Sequence, residues 1–183
     1  MIHALLLCAM LFQVSSQTAV KPVIDNERVA VWNAPVSPAG RPVDAVVVSL
    51  SGDVTFLPKG TAPKSAAKSF VIDLKDHAVA PFPNTTSYPL AFPRPGSKKI
   101  LENAKVIVWD YTWTPDVATP MHFHDKDVVV VFLEDGDLKS TTPDGQAVVN
   151  PYTAGTVRFN KGNRTHTETL VKGKQRAIIT ELK

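Results

Sequence analysis

Met121-His122-Phe123-His124-Asp125-Lys126-Asp127-Val128-Val129-Val130-Val131-Phe132-Leu133-Glu134-Asp135-Gly136 is the stretch on which the fold turns. In an extended chain alternate side chains share a face, so His122 and His124 look the same way. The run from Val128 to Leu133 is short, continuous and rich in β-branched residues, the pattern of a strand covered on both faces. Upstream, Val106, Val108 and Asp110 alternate with Ile107, Trp109, Tyr111 and Trp113, again at period two. Downstream, Pro143-Asp144-Gly145 reads as a hairpin turn, with glycine supplying the positive φ. No segment carries an apolar stripe at the helical period, and 15 prolines against 9 glycines work against long helices. The expected fold is all-β, an antiparallel barrel or sandwich.

With 183 residues, of which 44% are hydrophobic, the chain suffices for one substantial domain or two small ones. A net charge of +3 is small and scattered, densest at Lys98-Lys99. Nucleic acid would require a basic stripe, so that partner is excluded. Ala4 to Phe12 form an apolar core too short to span a bilayer, and Val14-Ser15-Ser16 follow with compact residues. Residues 1–16 therefore read as an export signal cleaved after Ser16, although Met1-Ile2-His3 lacks the usual basic residue. The mature protein is expected to be secreted or periplasmic, with no membrane attachment. Cys8, the single cysteine, leaves with the signal, so no disulfide is expected.

The chain also resembles itself. Asn26-Glu27-Arg28-Val29-Ala30-Val31-Trp32 aligns with Asn103-Ala104-Lys105-Val106-Ile107-Val108-Trp109, and Asp44 to Leu50 aligns with Asp127 to Leu133. Gly52-Asp53 matches Gly136-Asp137, Val54 to Gly60 resembles Val157 to Gly162, and Lys68 to Lys75 matches Arg176 to Lys183. The order is kept throughout. The first copy, over 24–75, is shorter: it lacks a stretch before its valine run and a hairpin after its Gly-Asp. Residues 76–100, with Pro81, Pro83, Pro89, Pro93 and Pro95, read as an extended linker to the second copy at 101–183.

Three histidines, His122, His124 and His166, fall in the second copy, and none in the first. Two imidazoles on one strand face can converge on an ion, and a third can join them across a sheet. Neutral imidazole suits iron, zinc and manganese alike. Met121-His122-Phe123-His124, the valine strand and Gly136 resemble the first motif of the cupin family, G-x5-H-x-H-x3/4-E-x6-G. Gly155, Asn160, Gly162 and His166 resemble its second motif, G-x5-P-x-G-x2-H. The resemblance implies a small antiparallel β-barrel of the jelly-roll type, complete in the second copy and truncated in the first. It also implies a divalent metal held inside by His122, His124 and His166. The chain departs from the pattern in several places. Counting back from Gly136 puts Val129 at the family's glutamate, Asp116 stands at the first glycine, and Asn160 at the proline.

Asp127 and Glu168 are candidates for an auxiliary ligand or supporting carboxylate. Arg158 and Arg164 could pin a carboxylate substrate, and Trp113, Tyr111, Phe123 and Phe159 could wall a pocket. The expected protein is an exported cupin, monomer or homodimer, with a three-histidine metal site. It is a metal-dependent enzyme, dioxygenase-like or isomerase-like, on a small organic substrate; the alternative is a non-catalytic cupin that binds a small ligand or a metal.

Overall fold

The computed structural model describes residues 21–34, 40–63 and 68–183. The expected export signal, its cleavage point at Ser16 and Cys8 lie outside the described residues. The protein is all-β, with every pairing between strands antiparallel and no helix among the described residues.

Three sheets are stacked. The first holds β1 (Ile24–Asp25), β2 (Val29–Asn33), β3 (Ala45–Ser49), β4 (Val54–Leu57) and β5 (Ser69–Leu74), in the order β1-β2-β5-β3-β4. The central sheet holds β6 (Ser97–Glu102), β7 (Val106–Thr112), β9 (Val128–Phe132), β12 (Val157–Asn160) and β14 (Arg176–Leu182), in the order β12-β9-β14-β7-β6. The third holds β8 (His122–His124), β10 (Gly136–Thr141), β11 (Ala147–Tyr152) and β13 (Arg164–Gly173), in the order β11-β10-β13-β8.

The central sheet is apolar on both faces, which is why its strands carry unbroken valine and isoleucine runs. Val106, Val108, Val129, Val131, Ile178 and Leu182 face the first sheet, meeting Val29, Val31, Val46, Val48 and Ile72. Their neighbours in sequence, among them Trp109, Val128, Val130, Phe132 and Ile179, face the third sheet and pack with Leu138 and Leu170. Each fully buried valine contributes roughly 1.5–3 kcal/mol, so this double core dominates the favourable side of folding.

The first and central sheets correspond strand for strand in the order of the aligned blocks, and their registers agree. Val29 pairs with Leu74 as Val106 pairs with Leu182, Ala45 with Asp73 as Val128 with Glu181, and Val46 with Phe56 as Val129 with Phe159. The indole of Trp32 donates to Asp73 at 2.8 Å, and that of Trp109 to Glu181 at 2.7 Å. Across the interface Arg28 pairs with Asp127 at 2.9 Å, while Lys105 pairs with Asp44 at 3.1 Å. Among the described residues the N-terminal half has no equivalent of the four-stranded sheet.

The segment expected to be a linker is extended but is not a free connector. Its end forms β6, and before that it runs beside β8, with Leu90 bridging Phe123 in parallel. Ala91, Phe92 and Arg94 are buried. Prolines keep this strap out of helical conformations, so its amides are available to β8.

Candidate metal centre

The site is built where the short strand β8 is held from both sides. On one side β13 pairs His166 with His122 and Arg164 with His124. On the other, the strap supplies backbone bonds at 2.8 Å from Phe82 to Asp125, from Ala91 to Phe123, and from Phe123 to Pro89. A strand of three residues is thus anchored well enough to aim two imidazoles.

His122, His124 and His166 converge as their spacing predicts. The Nε2 atoms of His122 and His124 are 3.2 Å apart, as are those of His124 and His166. All three residues are buried. The His122 Nδ1–H donates to the Pro120 carbonyl at 2.7 Å, which leaves Nε2 as the lone-pair nitrogen. The Ser140 hydroxyl lies 3.3 Å from His166 Nδ1. Among the described residues His124 Nδ1 has no hydrogen-bond partner. Burial, then the charge of Arg94, pushes His122 down to about 3. Burial likewise lowers His166 to about 4, against the pull of Glu168, and holds His124 well below the ordinary value. At neutral pH the cluster is therefore three uncharged imidazoles, the state that ligates a metal.

Arg94, like Ser140, is a site residue that sequence reasoning missed. Its Nη1 donates to His122 Nε2, and its Nη2 reaches Glu168 at 3.2 Å. Its guanidinium also lies over the rings of Phe92 and Tyr111. The local signal was Phe92-Pro93-Arg94-Pro95, an arginine between prolines that restrict the backbone around it. Glu168 is brought to the site, with Oε1 4.0 Å from His166 Nε2 and Oε2 accepting from Arg94 and the Trp113 indole, each at 3.2 Å. Burial pushes its carboxyl up, but His166, Arg94, His122 and Arg164 outweigh this and hold it below the usual value.

Alternation sorts the other candidates. On β13, Arg164, His166 and Glu168 share the face toward the cavity, and on β12 Arg158 and Asn160 do so. Trp113 also lines it. Phe159 points the other way, against the core between the two five-stranded sheets, so it is not a pocket wall. Asp127 also turns from the histidines: Oδ2 accepts from Arg28, and Oδ1 from the Gly162 amide at 2.8 Å. It is an interface carboxylate, not a ligand. Val129 belongs to that same interface core, whereas Val128 lines the cavity. The wall position beside the histidines is thus Val128, one residue earlier than counting back from the glycine implied. Phe123 is buried on the face of β8 away from the histidines, and Tyr111 stacks edge-on against Trp113.

No family profile matches the chain. By sequence it is similar to the beta-alanine degradation protein BauB of Pseudomonas aeruginosa, 39% identical over 66 residues, covering 36% of this chain and 68% of that one. By shape it is similar to a cupin 2 conserved barrel domain protein from Leptotrichia buccalis, with a TM-score of 0.51 at 10% identity, covering 88% of this chain and 87% of that one. That likeness concerns the fold alone. A cupin domain from Bordetella pertussis overlaps at 26% identity with a TM-score of 0.43, covering 51% of this chain and 99% of that one.

Proposed function

The chain belongs to the cupin family, and on that premise we propose that its histidine cluster holds one divalent transition metal and that the protein is a metal-dependent enzyme, of oxygenase or isomerase type, on a small organic substrate. The observation that carries the reading is the convergence of three buried, neutral imidazoles, with the Nε2 of His124 3.2 Å from that of His122 and from that of His166. Iron, zinc and manganese all suit three nitrogen ligands with open positions. Such an ion supplies a Lewis acid, and iron adds redox chemistry.

The chain's own residues prepare the site. The Pro120 carbonyl fixes the tautomer of His122, and Ser140 steadies His166. Val128, Val130, Phe132 and Ile179 form an apolar wall that excludes water from one side. Glu168 contributes a buried negative charge at the edge of the cluster, held between Arg94 and Trp113. We read the N-terminal half as a second copy that kept one sheet and none of the histidines, so a single ion per chain is expected.

The test is elemental analysis of the purified protein beside a His122→Ala/His124→Ala variant. About one transition ion per chain is expected, lost in the variant while circular dichroism stays that of a β protein. Absence of metal after reconstitution with iron(II), zinc and manganese would sink the reading.

A second reading, a non-catalytic cupin that binds a small ligand or metal, is favoured by two observations. Val128 lines the site where a fourth ligand would stand, and Arg94 donates to the nitrogen a metal would use. Metal-dependent turnover separates the two. Because the Pseudomonas relative is named for beta-alanine degradation, three-carbon acids are the first compounds to assay.

A further inference from the structure

We infer that the cavity takes a small organic carboxylate, held by the guanidinium groups of Arg164 and Arg158 above the histidine cluster. This deepens the metal-site reading and rests on it.

Three arginines, Arg94, Arg158 and Arg164, face one solvent-open cavity of about 170 Å3, and one carboxylate, Glu168, faces it with them. Glu168 is engaged by Arg94 and Trp113. Among the described residues neither Arg158 nor Arg164 has a carboxylate within ion-pair distance. The Arg158 guanidinium stands 6.0 Å from the Tyr152 ring. The Arg164 Nε is buried and, among those residues, has no hydrogen-bond partner. An arginine so placed loses hydration without gaining a counter-charge, which is unfavourable unless something else supplies the anion.

The placement gives the anion a position. Arg164 lies opposite His124 on β13, one alternate residue from His166. Arg158 lies opposite Val130 on β12 and is exposed, so it stands nearer the mouth. A carboxylate lying across Arg164 and Arg158 would direct the rest of a short molecule inward, past Asn160 and Ser140, toward the imidazoles. The planar guanidinium fork matches the two oxygens of a carboxylate. The apolar wall suits a short carbon chain better than a bare inorganic ion.

The test uses the full chain loaded with cobalt(II), whose visible absorption reports the coordination sphere without any activity assay. Propionate, propionamide and methyl phosphate are titrated, followed by that absorption and by thermal shift. Propionate is expected to perturb both signals and propionamide neither. In Arg164→Gln propionate should bind about tenfold or more weakly, with cobalt content unchanged. Arg158→Gln should show a smaller loss, and Arg164→Lys an intermediate affinity. Equal binding of propionamide, unaltered propionate affinity in Arg164→Gln, or binding of methyl phosphate instead would overturn the proposal while leaving the metal reading intact. Failure to take up cobalt at all would overturn both, and is visible before any titration. If Arg164→Gln does not fold, the Arg158→Gln and Arg164→Lys titrations decide.

Discussion

A metal ion at the histidine cluster would compete with Arg94 for one lone pair. His122 donates from Nδ1 to Pro120, so its free nitrogen is Nε2, and that nitrogen accepts from Arg94. The same guanidinium bonds Glu168, 4.0 Å from His166. Loading the site would therefore require Arg94 to retract from His122, and its ion pair with Glu168 offers a place to go. Replacing it with leucine removes a positive charge and a competing donor beside the cluster. We expect Arg94→Leu to bind zinc about tenfold more tightly, a gain of about 1.4 kcal/mol, measured by competition with a chromogenic chelator. Weaker binding in the variant would mean that Arg94 supports the ligand geometry instead of opposing the ion.

The strand β14 is the element on which both cores depend, because it lies between β7 and β9 and is buried along nearly its whole length. It also holds a buried carboxylate. Glu181 accepts from the Trp109 indole at 2.7 Å and, among the described residues, has no cation within ion-pair distance, so burial outweighs the more distant Lys126 and Arg94 and pushes its pKa above the ordinary value. Its counterpart on β5, Asp73, is bound by Arg41 as well as by Trp32. A carboxyl with a raised pKa favours the folded state while protonated, and that stability is lost as pH rises from the unfolded value through the folded one. Glu181→Gln keeps an acceptor for Trp109 without a charge to bury. It should raise the melting temperature at neutral pH, and the gain should vanish below the ordinary glutamate pKa. A gain independent of pH in thermal unfolding would refute the assignment.

At the scale of the whole molecule, the two five-stranded sheets meet across related ion pairs of unequal burial. Arg28–Asp127 has side-chain exposures of 5% and 9%, whereas Lys105–Asp44 has 41% and 22%. Removing one partner of a buried pair strands the other without water, at about 3–5 kcal/mol, while a surface pair contributes about 0–1 kcal/mol. Asp127→Ala should therefore destabilise the chain by about 3 kcal/mol or more in urea unfolding, and Asp44→Ala by less than 1 kcal/mol. Similar losses would show that Arg28 finds water or another partner once Asp127 is gone.

Much of this architecture is written in local patterns. Alternation at Val106 to Trp113 and the unbroken run Val128 to Leu133 depend only on where neighbouring side chains point, so they predict an all-β fold before any contact is known. His122-Phe123-His124 places two imidazoles on one face for the same reason, and the cupin motifs add His166. Other roles follow from partners distant along the chain. Asp127 could not be told from a ligand until Arg28, 99 residues away in sequence, was seen to bind it. The sequence pattern places Phe159 and Val129 at the site, but strand pairing turns both to the opposite face. Arg94 lay in a proline-rich segment with no periodicity to read, and only the docking of that strap along β8 carries it to the histidines. Strand character and same-face spacing are properties of short covalent geometry. Which sheet covers a face, and which charge meets which, is decided by packing between residues that the chain order leaves far apart.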